Sequence, residues 1–172
     1  MLLKYCPLLL LAQFLIAAAS PTNLRLPESG VPLQKELERQ AKAETINLLN
    51  SLFRSQIAYF TEVKAALNPQ TKRSQHINLY ITRLNAAIEE TDMDEKNKKW
   101  MEIFDEFSAS PLLINREAET GLTDLQYKQI LTGQKLKDIS AKFVTDVADY
   151  FWKITKLSGR VVSNELSNAD QS

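Results

Sequence analysis

The stretch from Ile46 to Leu67, INLLNSLFRSQIAYFTEVKAAL, constrains this chain more than any other. At steps of three and four, Ile46, Leu49, Phe53, Ile57, Phe60 and Leu67 fall on one line of a helix. Leu48, Leu52, Tyr59, Val63 and Ala66 widen that line on one side, while Asn47, Asn50, Ser51, Arg54, Thr61 and Glu62 fill the rest. A helix packed on a single neighbour needs an apolar stripe of only ~100°. Here the apolar arc covers about half the circumference, so the helix needs two or three neighbours. It reads as the spine of a helical bundle.

The neighbours can be read in order. Before the spine, Leu33 to Ala43 is strongly helical by propensity but carries only Leu33, Leu37 and Ala41 as apolar residues. It is expected to project past the bundle or to lie on its surface. Asn68-Pro69 ends the spine and suits an N-cap followed by a first helical residue, which predicts a second helix over about 69–90. Its inward stripe is Ile77, Tyr80, Ile81, Leu84, Ala87 and Ile88. Asp92-x-x-Glu95 resembles a capping box and opens a third helix, with Met93, Trp100, Ile103, Phe104 and Phe107 inward. Ser108 to Pro111 stops it, and a short helix over 112–119 is expected before Gly121. A last long helix runs from near Thr123 to Leu157, with Gly133 a candidate kink or split and Gly159 a C-terminal stop. Its inward line is Leu136, Ile139, Phe143, Val147, Tyr150, Ile154 and Leu157. No β-alternation of any length occurs. The expected fold is all-α: an up-and-down bundle of about four helices, two of them long, over 33–158, followed by a disordered tail over 159–172.

The N-terminus reads as a secretory leader over 1–19. Lys4 is its single charge, Leu8 to Ala18 is an apolar run broken only by Gln13, and Ala17-x-Ala19 fits the small-x-small cleavage pattern. About a dozen apolar residues fall short of the ~20 that span a bilayer, so no membrane anchor is expected. Residues 20–32 hold three prolines and a glycine without periodicity, as a flexible segment would. Cys6, the only cysteine, would leave with the leader. Losing Lys4 from 21 basic and 21 acidic side chains leaves a net charge near −1. Such a chain has no strong field to draw it to nucleic acid or an anionic membrane.

Motifs for chemistry are sparse. His76 is the sole histidine and is expected at the edge of the second helix's stripe, with no cysteine nucleophile to serve. Glu89, Glu90, Asp92, Asp94 and Glu95 form an acidic cluster. However, Lys96 and Asn97 stand where a calcium loop would place a ligand and its glycine, and capping explains acidic residues there equally well. Lys72-Arg73 and Lys98-Lys99 read as solvated helical faces. No catalytic residue, cofactor site or metal site is therefore assigned, and the chain is expected not to be an enzyme.

One surface feature remains. Trp152 falls about 180° round the last helix from its inward line, with Ala141, Thr145 and Ala148 on the same side. Either the sparse segment Leu33–Ala43 covers this face, or it is open to a partner, for which tryptophan is a favoured anchor. The expected function is that of a secreted, non-enzymatic bundle binding a protein partner in an extracellular fluid. The alternative is an extracellular carrier of lipid or another small hydrophobic ligand, held in a cavity lined by the inward aromatics. Four-helix cytokines and exchangeable insect apolipophorins share this gross layout. Neither lends a motif that matches residue by residue, and no functional residue is carried over.

If the leader reading is right, N-terminal sequencing of exported protein finds Ser20 first, or Pro21 if cleavage follows Ser20. A chain still beginning at Met1 contradicts it.

Overall fold

A computed structural model describes residues 32–109 and 111–169. The expected leader and nearly all of the segment 20–32 lie outside the described residues. Six helices and no strand occur among those described: α1 Pro32–Ala65, α2 Lys72–Glu89, α3 Met93–Ala109, α4 Glu117–Thr120, α5 Asp124–Leu131 and α6 Gln134–Ala169. The all-α expectation holds. Helix α1 packs most extensively on α6 and α2, and α2 in turn packs on α3 and α4.

Cross-helix bonds fix the directions. Glu62 meets Lys135 and Glu44 meets Lys153, so α6 runs antiparallel to α1. Gln56 meets Tyr80 and Lys64 meets Asn78, so α2 also runs antiparallel to α1. Arg83 meets Glu106, and Glu90, just past the end of α2, meets Lys99, so α3 runs antiparallel to α2. The spine is central, as its wide stripe requires: Leu48, Leu49, Leu52, Phe53, Tyr59, Phe60, Val63 and Leu67 are all buried. Aromatic rings fill the space between α1, α2 and α3. Phe60 sits edge-on to Tyr80 at 5.1 Å between centroids, Tyr80 lies 5.5 Å from Phe107, and Phe53 lies 5.3 Å from Trp100.

Several local expectations are corrected. Helix α2 starts at Lys72 rather than at Pro69, because Asn68 Oδ1 accepts from the Gln70 amide in a turn of its own. Thr71 then becomes the N-cap, its side chain accepting from the Ser74 amide. Asp92 caps α3 by accepting from the amides of Asp94 and Glu95. The reciprocal half of the expected box belongs to Glu90, which accepts from the Asp92 amide. The short helix expected over 112–119 shrinks to Glu117–Thr120. Leu112 is instead a buried core residue whose carbonyl accepts from Tyr127 Oη at 2.5 Å. Gly121 closes α4 at φ 68°, where a left-handed residue is needed.

Gly133 does split the last helix. A Cβ there would come within 3.2 Å of the Ile130 carbonyl oxygen, which accepts from the Gly133 amide. Gly159, by contrast, is no stop. The backbone stays helical to Ala169, so residues 159–169 are not the disordered tail expected from the polar composition. Glycine costs a helix only ~1 kcal/mol relative to alanine, and without a left-handed turn to follow it does not end one.

Two cations are buried, and one of them, Arg73, reads from the sequence as part of a solvated face. Arg73 is 2% exposed; it donates to the Pro111 carbonyl at 3.1 Å and to Glu119 at 2.9 Å, with its guanidinium 5.9 Å from the Tyr127 ring centroid. Lys96 is 0% exposed. Its ammonium donates to the carbonyls of Ala87 at 2.6 Å and Ile88 at 3.0 Å and to Asn50 Oδ1 at 2.9 Å, and lies 5.8 Å from the Phe53 ring centroid. Burial pushes its pKa below the ordinary lysine value, with the neighbouring Glu90 opposing that shift. A helix leaves its last carbonyls without partners, and Lys96 supplies donors to two of them.

Three outcomes follow for stability. Phe143 is fully buried, so Phe143→Ala is expected to cost roughly 3–5 kcal/mol in urea unfolding; a loss below ~1 kcal/mol means that α6 is misphased. Lys96→Met keeps the volume but removes the donors, and should cost about 1–3 kcal/mol per carbonyl left unpaired; a stabilised variant means the ammonium is not the cap. Acid also discriminates. Glu119 is held below the usual carboxylate pKa: partial burial raises it, and bonding from Arg116 and attraction to Arg73 outweigh that effect. Its contribution is complete above the unfolded-state value of about 4.3 and is lost as pH falls through the lower folded value. Glu119→Gln should therefore flatten stability in that acidic window, and an unchanged profile rules the linkage out.

Candidate interaction face

The outer side of α6 results from having one extensive neighbour. Leu136, Phe143 and Val147 are buried, and Ile139, Tyr150 and Ile154 are half-buried on the side that faces α1. Ala141, Thr145, Ala148 and Trp152 are all exposed, Trp152 at 62%. The segment Leu33–Ala43 does not cover them. It is part of α1, which meets the adjacent flank of α6 through Glu44–Lys153 and Thr45–Tyr150.

Two apolar residues that the sequence reading had not placed on this face extend it. Val144 is 46% exposed and Phe151 52%. With 3.6 residues per turn, Val144, Ala148, Phe151 and Thr155 lie beside Ala141, Thr145 and Trp152 on one continuous arc of about 120°. Their signal was the i, i+4, i+7 spacing from Val144. It was hard to see because Phe151 is adjacent on the wheel to the inward residue Val147. The two threonines add little polarity: Thr145 and Thr155 donate to the carbonyls of Ala141 and Phe151 within their own helix. Their hydroxyls are thus turned inward along the helix, leaving methyl groups as outer surface.

Charges line one flank. Lys142 pairs with Asp146 at 3.3 Å and Lys153 with Glu44 at 3.0 Å. Lys156 Nζ lies 4.8 Å from the Trp152 ring centroid, a cation–π contact that steadies the indole without burying it. Phe151 packs edge-on to Tyr150 at 5.4 Å, which anchors the ring to the half-buried side. The face is convex, apolar along its centre and charged along one edge.

The other sequence candidates resolve differently. Among the acidic residues between α2 and α3, Asp92 is a cap, and Glu90 holds Lys99 at 2.6 Å. Bonding from Lys99 and the Asp92 amide lowers the Glu90 pKa. Among the described residues no group of three or more histidine, cysteine or acidic side chains is placed to hold a metal. His76 is exposed at the mouth of a cleft between α2 and α3. No helix among the described residues is long and apolar enough to cross a membrane.

In a Trp100→Phe background, Trp152 fluorescence should be red-shifted and open to a soluble quencher. A blue-shifted, protected emission contradicts an uncovered face. No protein-family model, curated protein or solved structure matches this chain.

Proposed function

We propose that this chain is a secreted, non-enzymatic helical-bundle protein that binds a protein partner in an extracellular fluid through the outer face of α6. The observation that carries the reading is the exposure of Val144, Phe151 and Trp152 on a single helical arc. Scattered exposed apolar residues are ordinary; three large ones on one arc, with alanines between them, form a patch. A partner with an apolar groove fits a convex ridge, and Val144, Ala148 and Phe151 at i, i+4 and i+7, with Trp152 beside them, follow the usual spacing of helix-in-groove docking. Tryptophan as the largest anchor agrees with its enrichment among residues that dominate interface energies. The leader features at Lys4, Leu8–Ala18 and Ala17-x-Ala19 support export.

The carrier alternative has less support. The inward aromatics are packed against one another at centroid distances of 5.1–6.1 Å. The apolar cleft between α2 and α3 holds only about 130 Å³, whereas sites for drug-sized ligands usually measure ~300–1,000 Å³. The groove of about 540 Å³ between α1 and α6 is large enough, but charged side chains such as Glu44, Arg54, Lys142, Asp146 and Lys153 line it, which does not suit an apolar cargo.

The test separates binding from folding. Trp152→Ala and Phe151→Ala should leave unfolding within about 0.5 kcal/mol of the parent, as surface changes do. Each should weaken partner binding by ~2 kcal/mol or more, as loss of a hot spot does. Native mass spectrometry of parent and variants recovered from the natural fluid reads out both complex and cargo. Equal complex formation by parent and variants excludes this face, and co-purified lipid in place of a protein partner favours the carrier.

A further inference from the structure

A second site lies on elements that the α6 face does not use. Across the cleft between α2 and α3, Leu79 and Tyr80 face Ile103 and Phe107, and Leu112 closes one end. The floor is rigid. Tyr80 and Phe107 lie 5.5 Å apart with their planes at 39°, and Phe60 backs them at 5.1 and 6.1 Å. Tyr80 is also held by donating to Gln56 Oε1 at 2.5 Å. The cleft can therefore neither collapse nor deepen easily, and Leu79 stands half-exposed at its lip.

Volume limits the occupant. An apolar cavity of about 150 Å³ takes one benzene ring, so about 130 Å³ in an open cleft seats a single ring, and most of a steroid or an acyl chain would be left in solvent. The lining favours an aromatic ring, since the edges and faces of Tyr80 and Phe107 offer the offset and edge-on contacts that rings prefer. The rim selects the substituent. Arg83 and Glu106 form an ion pair from α2 to α3 across the cleft, and both are about half exposed. The pair has no net charge, yet the guanidinium has further donors and the carboxylate further acceptors. An anionic substituent has to compete with Glu106 for Arg83, and a cationic one with Arg83 for Glu106, so either binds only by breaking the existing pair. A neutral hydroxyl can donate to the carboxylate and accept from the guanidinium without separating them. We propose that this cleft is a binding site for a small, neutral, single-ring phenol, its ring over Tyr80 and Phe107 and its hydroxyl on the Arg83–Glu106 pair.

The experiment titrates the full-length folded protein with 4-cresol, and separately with toluene, to about 10 mM, following side-chain methyl resonances by NMR. The expected result is a saturable ring-current shift confined to the methyls of Leu79, Ile103 and Leu112. Toluene, lacking the hydroxyl, should bind about fivefold more weakly, the effect of roughly one net hydrogen bond. The double variant Arg83→Ala/Glu106→Ala should bring 4-cresol to the level of toluene. Leu79→Trp, at a half-exposed position where folding is not at stake, should fill the lip and abolish the shift. The proposal is overturned by a shift that does not saturate or that spreads over the surface, by equal affinity for 4-cresol and toluene, or by binding that survives in Leu79→Trp.

Discussion

The bundle depends on a buried ammonium. Lys96 enters the core from the first turns of α3 and donates to two carbonyls in the last turn of α2 and to Asn50 of α1. Three helices meet at one Nζ atom. The arrangement has a local cause: only residues 90–92 separate α2 from α3, so the start of α3 lies beside the orphan carbonyls of α2. A charge taken out of water is costly unless it is well bonded. Here the cost is offset by three hydrogen bonds, by the negative end of the α2 dipole, and by the Phe53 ring face. The far end of α2 is fixed by a second buried cation. Arg73, in its first turn, ties the Pro111 carbonyl and Glu119 to the helix. The two cations thus tie one end of α2 to α1 through Asn50 and the other to Pro111 and Glu119. The aromatic contacts between α1 and α2 can then hold fixed geometry without an internal disulfide, since Cys6 is the only cysteine of the sequence.

How far the sequence could be read follows from this. Apolar periodicity is a summed signal over many residues, so the inward stripes of α1, α2, α3 and α6 were legible, although the start of α2 and the end of α6 were not. A buried cation is a single residue that contradicts its own class. Lys96 stands four residues before Trp100 and seven before Ile103, squarely on the inward line, and Arg73 stands four before Ile77. Position marks both as inward and chemistry as outward; for Arg73 the reading follows chemistry, and Lys96 is weighed only as a misfit in a calcium loop. Chemistry fails as a guide because the partners, Asn50 and the Pro111 and Ala87 carbonyls, are distant in sequence or belong to backbone whose orientation no side-chain pattern reports. The turns had the same difficulty. Asn68-Pro69 and Thr71 are each sound helix starts, and only tertiary placement decides between them. Leu112 looked like the start of a helix because its role as acceptor for Tyr127 is set by folding at long range.

The face on α6 was half legible for a related reason. Trp152 lies far from the inward line and could be placed outward from periodicity alone. Phe151 and Val144 lie at the boundary, and their exposure depends on how many neighbours α6 has. A four-helix bundle closed into a square would give α6 two extensive contacts. In this chain α3 packs on α2, and α1 alone packs extensively on α6. The apolar residues of α6 span more of its circumference than one neighbour can cover, and the excess is Val144, Phe151 and Trp152.

That excess argues against leftover core. Surplus apolar surface from loose packing would be spread along the helix and would be greatest where α6 begins, beside the split at Gly133. Instead Lys135, Lys137 and Asp138 are exposed there, and among the α6 residues whose side chains are described the large exposed apolar ones gather in the two turns from Val144 to Trp152. They do so beside residues that hold them in place: Lys156 over the Trp152 ring, Tyr150 edge-on to Phe151, and Thr145 and Thr155 bonded back to their own helix. Side chains steadied before a partner arrives lose less rotamer freedom on binding, at ~0.5–1.5 kcal/mol for each one immobilised. A patch that is both concentrated and pre-ordered has the physical character of a docking ridge, and the cleft between α2 and α3 is its concave counterpart on the elements that Lys96 and Arg73 hold rigid.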